Sequence, residues 1–376
     1  MTSEFIPVCE PTLLGNETRY VLEAVKSGWI SSAGKYISEF ERAFAEYCGV
    51  KHGIAVCNGT VAFYLGLTAL GIGKGDEVII PDFTMIASAF AVCYTGAVPI
   101  FVDADRETWN IDTSRIEEKI NEKTKAIMPV HIYGHPCDMK PIWELAMKFN
   151  LKIIEDVAEV HGAEYYGKKC GALGDIAAFS FFANKIAATG EGGMVITDDE
   201  ELADNCRYYK NLCSPLNGPR NYLHNDIGFN YRMSNLLAAL GLAQIENLNE
   251  YVELRRRNNS LYWKYLEGVL GIILQPEKEW AKNVFWMNGI IVETEKYGLT
   301  RDELMKKLKE VGIDSRQFFT GMHRQPALRK YGCTINSNYD VSEWLEKNGL
   351  YLPSGSGLNK NQIQYICKKI KDFSQY

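Results

Sequence analysis

Through about residue 200 the apolar positions switch between helical spacing and short unbroken runs. Residues 59–70 carry Ala62, Leu65 and Ala69 at helical spacing, Gly71, Gly73 and Gly75 interrupt, and Val78-Ile79-Ile80 reads as a buried strand. The alternation continues with a helix at 86–94, a strand at 98–102, a helix at 116–120, a strand at 126–130, a helix at 141–149 and a strand at 152–154. Helices that separate buried strands in this way predict an α/β architecture with a mostly parallel sheet. A long polar helix over 245–266 reads as a spine into a second unit. Beyond it come a strand at 285–292, a helix opened by the capping box Thr300-Arg301-Asp302-Glu303, and a last helix near 360–373. The expected organisation is a large domain over 1–245 and a small C-terminal α+β domain over 246–376.

A length of 376 residues agrees with two units, and 46% apolar with 23% charged residues suits a soluble chain with a sizeable core. The net charge of −6 offers no whole-molecule attraction for a phosphate backbone, which argues against nucleic acid as a partner. The short run Arg255-Arg256-Arg257 reads as the solvated face of a helix. Met1-Thr2-Ser3-Glu4-Phe5 lacks the start of a secretion signal, and no window supplies about 18 uninterrupted apolar residues. The expectation is a cytoplasmic protein without a membrane partner. The ten cysteines form no CxxC pair, and Cys57 and Cys93 sit in apolar runs, so they read as small buried side chains and no metal is expected.

In open α/β sheets ligands gather at the carboxyl ends of the strands, and three segments there carry unusual chemistry. Cys57-Asn58-Gly59-Thr60 opens a helix, where free backbone N–H groups bind phosphate and a glycine allows close approach, although Asn-Gly is also a common turn. Asp156 ends an apolar strand, placed either as a helix cap or as the partner of a protonated ring nitrogen such as pyridoxal phosphate (PLP) needs. Lys185 follows the aromatic run Phe179-Ser180-Phe181-Phe182. A lysine after a strand is usually a surface residue, but desolvation there would lower its pKa and free its amine as nucleophile and base. Phosphate cradle, ring-nitrogen acid and Schiff-base amine together are far more specific than any one of them.

These segments, with Trp29-Ile30-Ser31-Ser32, Gly75-Asp76-Glu77-Val78, His131-Ile132-Tyr133-Gly134-His135-Pro136, Gly190-Glu191-Gly192-Gly193 and Gly228-Phe229-Asn230-Tyr231-Arg232-Met233, resemble the DegT/DnrJ/EryC1/StrS sugar aminotransferase family over nearly the whole chain. Within it the likeness is strongest to the perosamine-synthase group, which aminates a GDP-linked 4-keto-6-deoxy sugar. The resemblance implies the fold of aspartate aminotransferase (fold type I), with a large α/β/α domain and a small C-terminal one. It also implies PLP held by Lys185, with Asp156 on the pyridine nitrogen and Glu159 near the ring hydroxyl. Gly59, Thr60 and Ser180 would hold the phosphate, with Asn230 reaching over from the second subunit of a homodimer. Lysine at 185, where dehydratase relatives carry histidine, implies transamination, with glutamate the expected donor.

Two departures from the family pattern bear on the acceptor. Met85 stands where an aromatic usually stacks on the cofactor ring, and a thioether offers less area and no fixed plane. In Ser315-Arg316-Gln317-Phe318-Phe319-Thr320-Gly321-Met322-His323, Arg316 and His323 follow the pattern, while Gln317, Thr320 and Gly321 replace a proline, a tyrosine and a second proline. Arg316 is a candidate for a substrate phosphate or carboxylate, or a structural ion pair. Thr320 and His323 are further candidates for the substrate side, and His161 reads better as a core histidine. A small phosphorylated ketone such as dihydroxyacetone phosphate is the alternative acceptor, and a non-catalytic regulator or binding module is the alternative of another class.

Overall fold

The structure is a computed structural model that describes residues 5–216, 222–333, 335 and 337–375. The first four residues, on which the reading of the N-terminus partly rests, lie outside them.

The periodicity of the first half resolves into strands β1 (His52–Val56), β2 (Glu77–Pro81), β3 (Val98–Val102), β4 (Thr124–Ile127), β5 (Lys152–Asp156), β6 (Glu164–Tyr165), β7 (Lys168–Lys169), β8 (Ile176–Ser180) and β9 (Gly193–Thr197). Seven of them make one sheet in the order β1-β9-β8-β5-β4-β2-β3. The pairs among β2, β3, β4, β5 and β8 are parallel, while β9 runs antiparallel to both β1 and β8. Helices pack on the sheet and bury β8 and β9 along their whole length, which explains why these strands read as apolar runs rather than alternations. The expected mostly parallel sheet is therefore present, with one reversed strand.

The second half supplies β10 (Ile272–Leu274), β11 (Ala281–Lys282), β12 (Asn288–Val292), β13 (Arg316–Gln317) and β14 (Gly349–Leu352). An antiparallel sheet β10-β12-β14-β13 forms there, and β11 pairs back with β6 of the first half. Helix Leu248–Leu266 and helix Lys360–Phe373 cover it, burying Tyr262, Leu266, Ile290, Ile363 and Ile366 in a common core. Ile6 joins that core and bridges to Ile313, so the first described residues pack with the C-terminal unit.

Several local expectations need correction. Residues 116–120 do not form an α-helix: two 3-10 turns, Thr113–Arg115 and Glu117–Lys119, occupy the segment, the first capped by Asp112. The strand expected from 285 begins at Asn288, because Phe285 takes a left-handed φ of 47° and donates its N–H to Asn283. The spine helix begins at Leu248, separated by Asn247 from the preceding helix Asn235–Glu246. The basic run is only partly a solvated face: Arg257 is exposed and Arg256 half-buried, but Arg255 is not on the surface. Arg255 is 1% exposed, and its guanidinium donates to Ser356 Oγ and to the carbonyls of Trp286 and Ser354, partners 31, 99 and 101 residues away in sequence that no local pattern reveals. The capping box holds as expected, with Thr300 and Glu303 bonding reciprocally. All ten cysteines are free, and seven are buried.

Candidate active site

A cavity of about 620 Å³ opens at the carboxyl ends of β1, β5 and β8, the place the α/β topology reserves for ligands. Its phosphate-sized corner is the start of helix Gly59–Ala69. Asn58 caps that helix by accepting the Val61 N–H at 3.0 Å, leaving the first-turn amides directed outward. Gly59 is required: a Cβ there would stand 2.6 Å from Ser180 Cβ and 3.0 Å from Ser180 Oγ. The missing side chain lets Ser180 pack directly on the helix start. Thr60 and Ser180 both line the cavity.

Deeper in, β5 delivers Asp156 to the cavity floor at 4% exposure. Ser88 Oγ donates to its Oδ2 at 2.7 Å and the Ala158 N–H to its Oδ1 at 3.2 Å. Burial raises its pKa against these bonds and the nearby charge of Lys185, so the ionised form gains from a cationic ligand atom placed beside it. Glu155, one residue earlier, points away and is consumed by structure, accepting from the amides of Gly171, Leu173 and Gly174 and facing His131.

Lys185 sits in the turn between β8 and β9, where its N–H donates to the Phe182 carbonyl at 2.9 Å. Its Nζ lies 3.9 Å from Glu159 Oε1 and 3.8 Å from the centre of the Trp286 ring. Burial lowers its pKa, with Glu159 and Asp156 opposing, so a neutral amine is available at lower pH than for a surface lysine. Glu159 accepts the Tyr133 N–H at 2.8 Å, and burial raises it to about 7 despite the attraction of Lys185.

A carboxyl raised in the fold contributes stability that is whole below its ordinary value near 4.5 and is lost as pH rises through about 7. Without added cofactor, Glu159→Gln should therefore melt progressively higher than the parent chain between those pH values, by several degrees at the upper end. A melting-temperature gap that stays flat across the range would count against a buried, raised Glu159.

Of the expected residues, the fold gathers Gly59, Thr60, Met85, Asp156, Glu159, Ser180 and Lys185 around one cavity. Met85 is 47% exposed at its edge, its sulfur accepting the Ala87 N–H. Asn230 is exposed, pairs through its backbone with Asn211, and does not line this chain's cavity. Arg316 stands outside the wall in an exposed pair with Asp314. Thr320 and His323 are also outside it, and His323 is buried against Asp82. His161 is a core residue, packed among Phe44, Phe179 and Phe181 and driven down to about 3 by burial.

Sequence reasoning missed Trp286 and Tyr351 and gave no role to Ser88 or to Phe319 of the 315–323 segment, all four on the cavity wall. Ser88 had a signal, one turn after Met85 at a helix start facing β5. Trp286, Phe319 and Tyr351 come from the second half and meet the cavity only through the tertiary fold. Tyr133 was noted within a motif but given no role. It holds Glu159 through its amide while its hydroxyl accepts the Phe319 N–H at 3.3 Å.

The arrangement joins an anion cradle, a buried carboxylate and a desolvated lysine beside a second carboxyl, which suits a phosphorylated cofactor with a basic ring nitrogen and an electrophilic carbon. Comparison with known proteins points the same way. Residues 11–371 match the DegT/DnrJ/EryC1/StrS aminotransferase family. GDP-perosamine synthase of Escherichia coli O157:H7 is 46% identical over 374 residues, covering 98% of this chain and 99% of that protein. GDP-perosamine synthase of Caulobacter vibrioides is 46% identical over 362 residues, covering 96% of each. The crystal structure of DesV from S. venezuelae superposes with a TM-score of 0.92 at 31% identity, covering 100% of both chains.

Proposed function

Because the chain belongs to the DegT/DnrJ/EryC1/StrS aminotransferase family, we propose that it moves an amino group from glutamate to the 4-keto carbon of a GDP-linked 4-keto-6-deoxy sugar, for a surface polysaccharide. It is a PLP-dependent sugar aminotransferase of fold type I. The observation that carries the reading is Lys185, a largely enclosed lysine of lowered pKa between Glu159 and Trp286 on the floor of a cavity with a phosphate cradle. Support for the acceptor comes from GDP-perosamine synthases that align along nearly their whole length.

The residues present fit PLP. The space left by Gly59 beside Ser180 accepts a phosphate, and Asp156, buried and fixed by Ser88, holds a negative charge for a protonated ring nitrogen. When bound, the cofactor supplies an electron sink for the pair released at the amino carbon. Lys185 is its attachment point and, once free, holds or delivers a proton at Nζ. Glu159, kept in place by the Tyr133 amide, stabilises the charged form of that amine. Trp286 closes the floor under Nζ, excluding water and offering its π face to the ammonium. Two copies would complete each site, Asn230 reaching into the partner's cavity, with Met85, Tyr94 and Phe182 as exposed apolar residues at the cavity wall available for burial. Among the described residues no helix is long and apolar enough to cross a membrane, and the place of action proposed is the cytoplasm.

The decisive measurement loads the protein with PLP, converts it with glutamate, and offers ketones one at a time while the cofactor spectrum is followed. Return of the starting spectrum with the GDP-linked keto sugar is the expected result. Return with dihydroxyacetone phosphate alone would replace the sugar by a small phosphorylated ketone.

A further inference from the structure

Beside Phe319 the loop from the second half closes on the end of β2 through a buried pair that does not line the cavity. Asp82, fully buried, accepts the His323 backbone N–H at 2.7 Å and faces His323 Nδ1 at 2.8 Å. Its carbonyl accepts the Met322 N–H at 2.9 Å. On the far side His323 Nε2 faces Glu343 at 3.2 Å, and the imidazole lies flat on Tyr339 with ring centres 4.7 Å apart. A side chain at 321 would break this arrangement, since a Cβ would stand 2.7 Å from Asp82 Oδ2 and 2.8 Å from His323 Nδ1. The Gly321 N–H also donates to Glu346 at 3.2 Å, a bond that proline lacks the hydrogen to make. Gly321, one of the departures from the family pattern, is thus what lets the pair close.

The residues flanking the pair belong to the cavity. Thr84 and Met85 follow Asp82 on one edge, and Phe319 precedes Gly321 on the other. Phe83 ties them, its ring 5.8 Å from Phe318 and 6.2 Å from Phe319. We propose that Asp82, Gly321 and His323 form a latch that sets the separation of these two edges, making them positioning residues for the ketone acceptor. The inference rests on the reading of a nucleotide-linked acceptor. Glutamate is small enough to react at the floor near Lys185, whereas a nucleotide sugar extends past both edges and depends on their spacing.

Three variants test it. Gly321→Ala pushes a methyl group into the pair. His323→Gln carries its amide at the reach of Nε2 and abandons Asp82, whereas His323→Asn keeps a donor near Nδ1. For each, the glutamate half-reaction, the acceptor KM and the hydrogen exchange of the Met322 and His323 amides are measured on the PLP-loaded protein. Gly321→Ala and His323→Gln should raise the acceptor KM about tenfold and speed amide exchange, with the glutamate half-reaction within about twofold of the parent. His323→Asn should restore both. Unchanged exchange and KM in the first two variants, or equal loss in both half-reactions, overturns the latch. A parent protein that does not use the GDP-linked sugar overturns the acceptor reading instead. Amide exchange, with the same split measured on the ketone it does use, then decides the latch.

Discussion

Lys185→Ala should reduce transamination by at least about a thousandfold, because it removes both the attachment point and the proton carrier in one change. The physical basis is the surroundings of Nζ. Burial favours the neutral amine, while Glu159 at 3.9 Å and the Trp286 face at 3.8 Å keep the cationic form within reach, so the group can exist in both states during a cycle. Lys185→Arg keeps a charge but offers no nucleophilic amine near neutral pH, and should be as inactive as the alanine variant. Absorbance titration with PLP, followed by stopped-flow mixing with glutamate, reads out both functions. Turnover retained in either variant would remove Lys185 from the reaction.

Asp156→Asn should slow the glutamate half-reaction by roughly a hundredfold or more, through loss of the negative charge opposite the ring nitrogen. The substitution preserves shape, and the amide can still accept from Ser88 or from the Ala158 N–H, so the fold should survive. Ser88→Ala should weaken the same step more mildly, since it leaves the carboxylate charged but free to turn. No helix directly follows Asp156, so its bond to the Ala158 N–H fixes a loop and caps nothing; an Asp156→Asn protein that binds PLP and reacts with glutamate at the parent rate would show that the carboxylate serves only to hold that loop.

Much of this site was legible because each cofactor residue lies in a short segment whose local geometry carries meaning. Gly59 after a cap residue, Asp156 at the end of an apolar strand and Lys185 after an aromatic run each mark a strand's carboxyl end. The parallel sheet was legible for the same reason, since buried strands and crossover helices differ in period. The reversal of β9 was not, because a fully buried run such as Gly193-Met194-Val195-Ile196-Thr197 reads alike in either direction. Trp286 and the burial of Arg255 escaped for a different reason. Their environments are made by residues far away in sequence, and a basic run on a helix gives no sign of which arginine will find Ser354 and Ser356. On the substrate side, Arg316, Thr320 and His323 shared a segment but not a direction. The side chain that reaches the cavity from it is Phe319.

The reversed strand also has a consequence for how the protein is made. β1 is the edge of the large sheet, and among the described residues its ladder is with β9 alone, apart from one bridge to Arg232. Gly193 packs so tightly on Asn58 that a Cβ would come within 2.3 Å of the Asn58 carbonyl oxygen. The helix start that cradles phosphate is therefore seated by a segment synthesised more than a hundred residues later. While the chain emerges from the ribosome, β1 remains an unpaired strand until β9 arrives, the kind of delayed long-range pairing that slows folding and exposes apolar edges. Cofactor capture is expected to follow that closure, so a nascent chain ending before Gly193, which lacks the segment packed on Asn58, should not retain PLP.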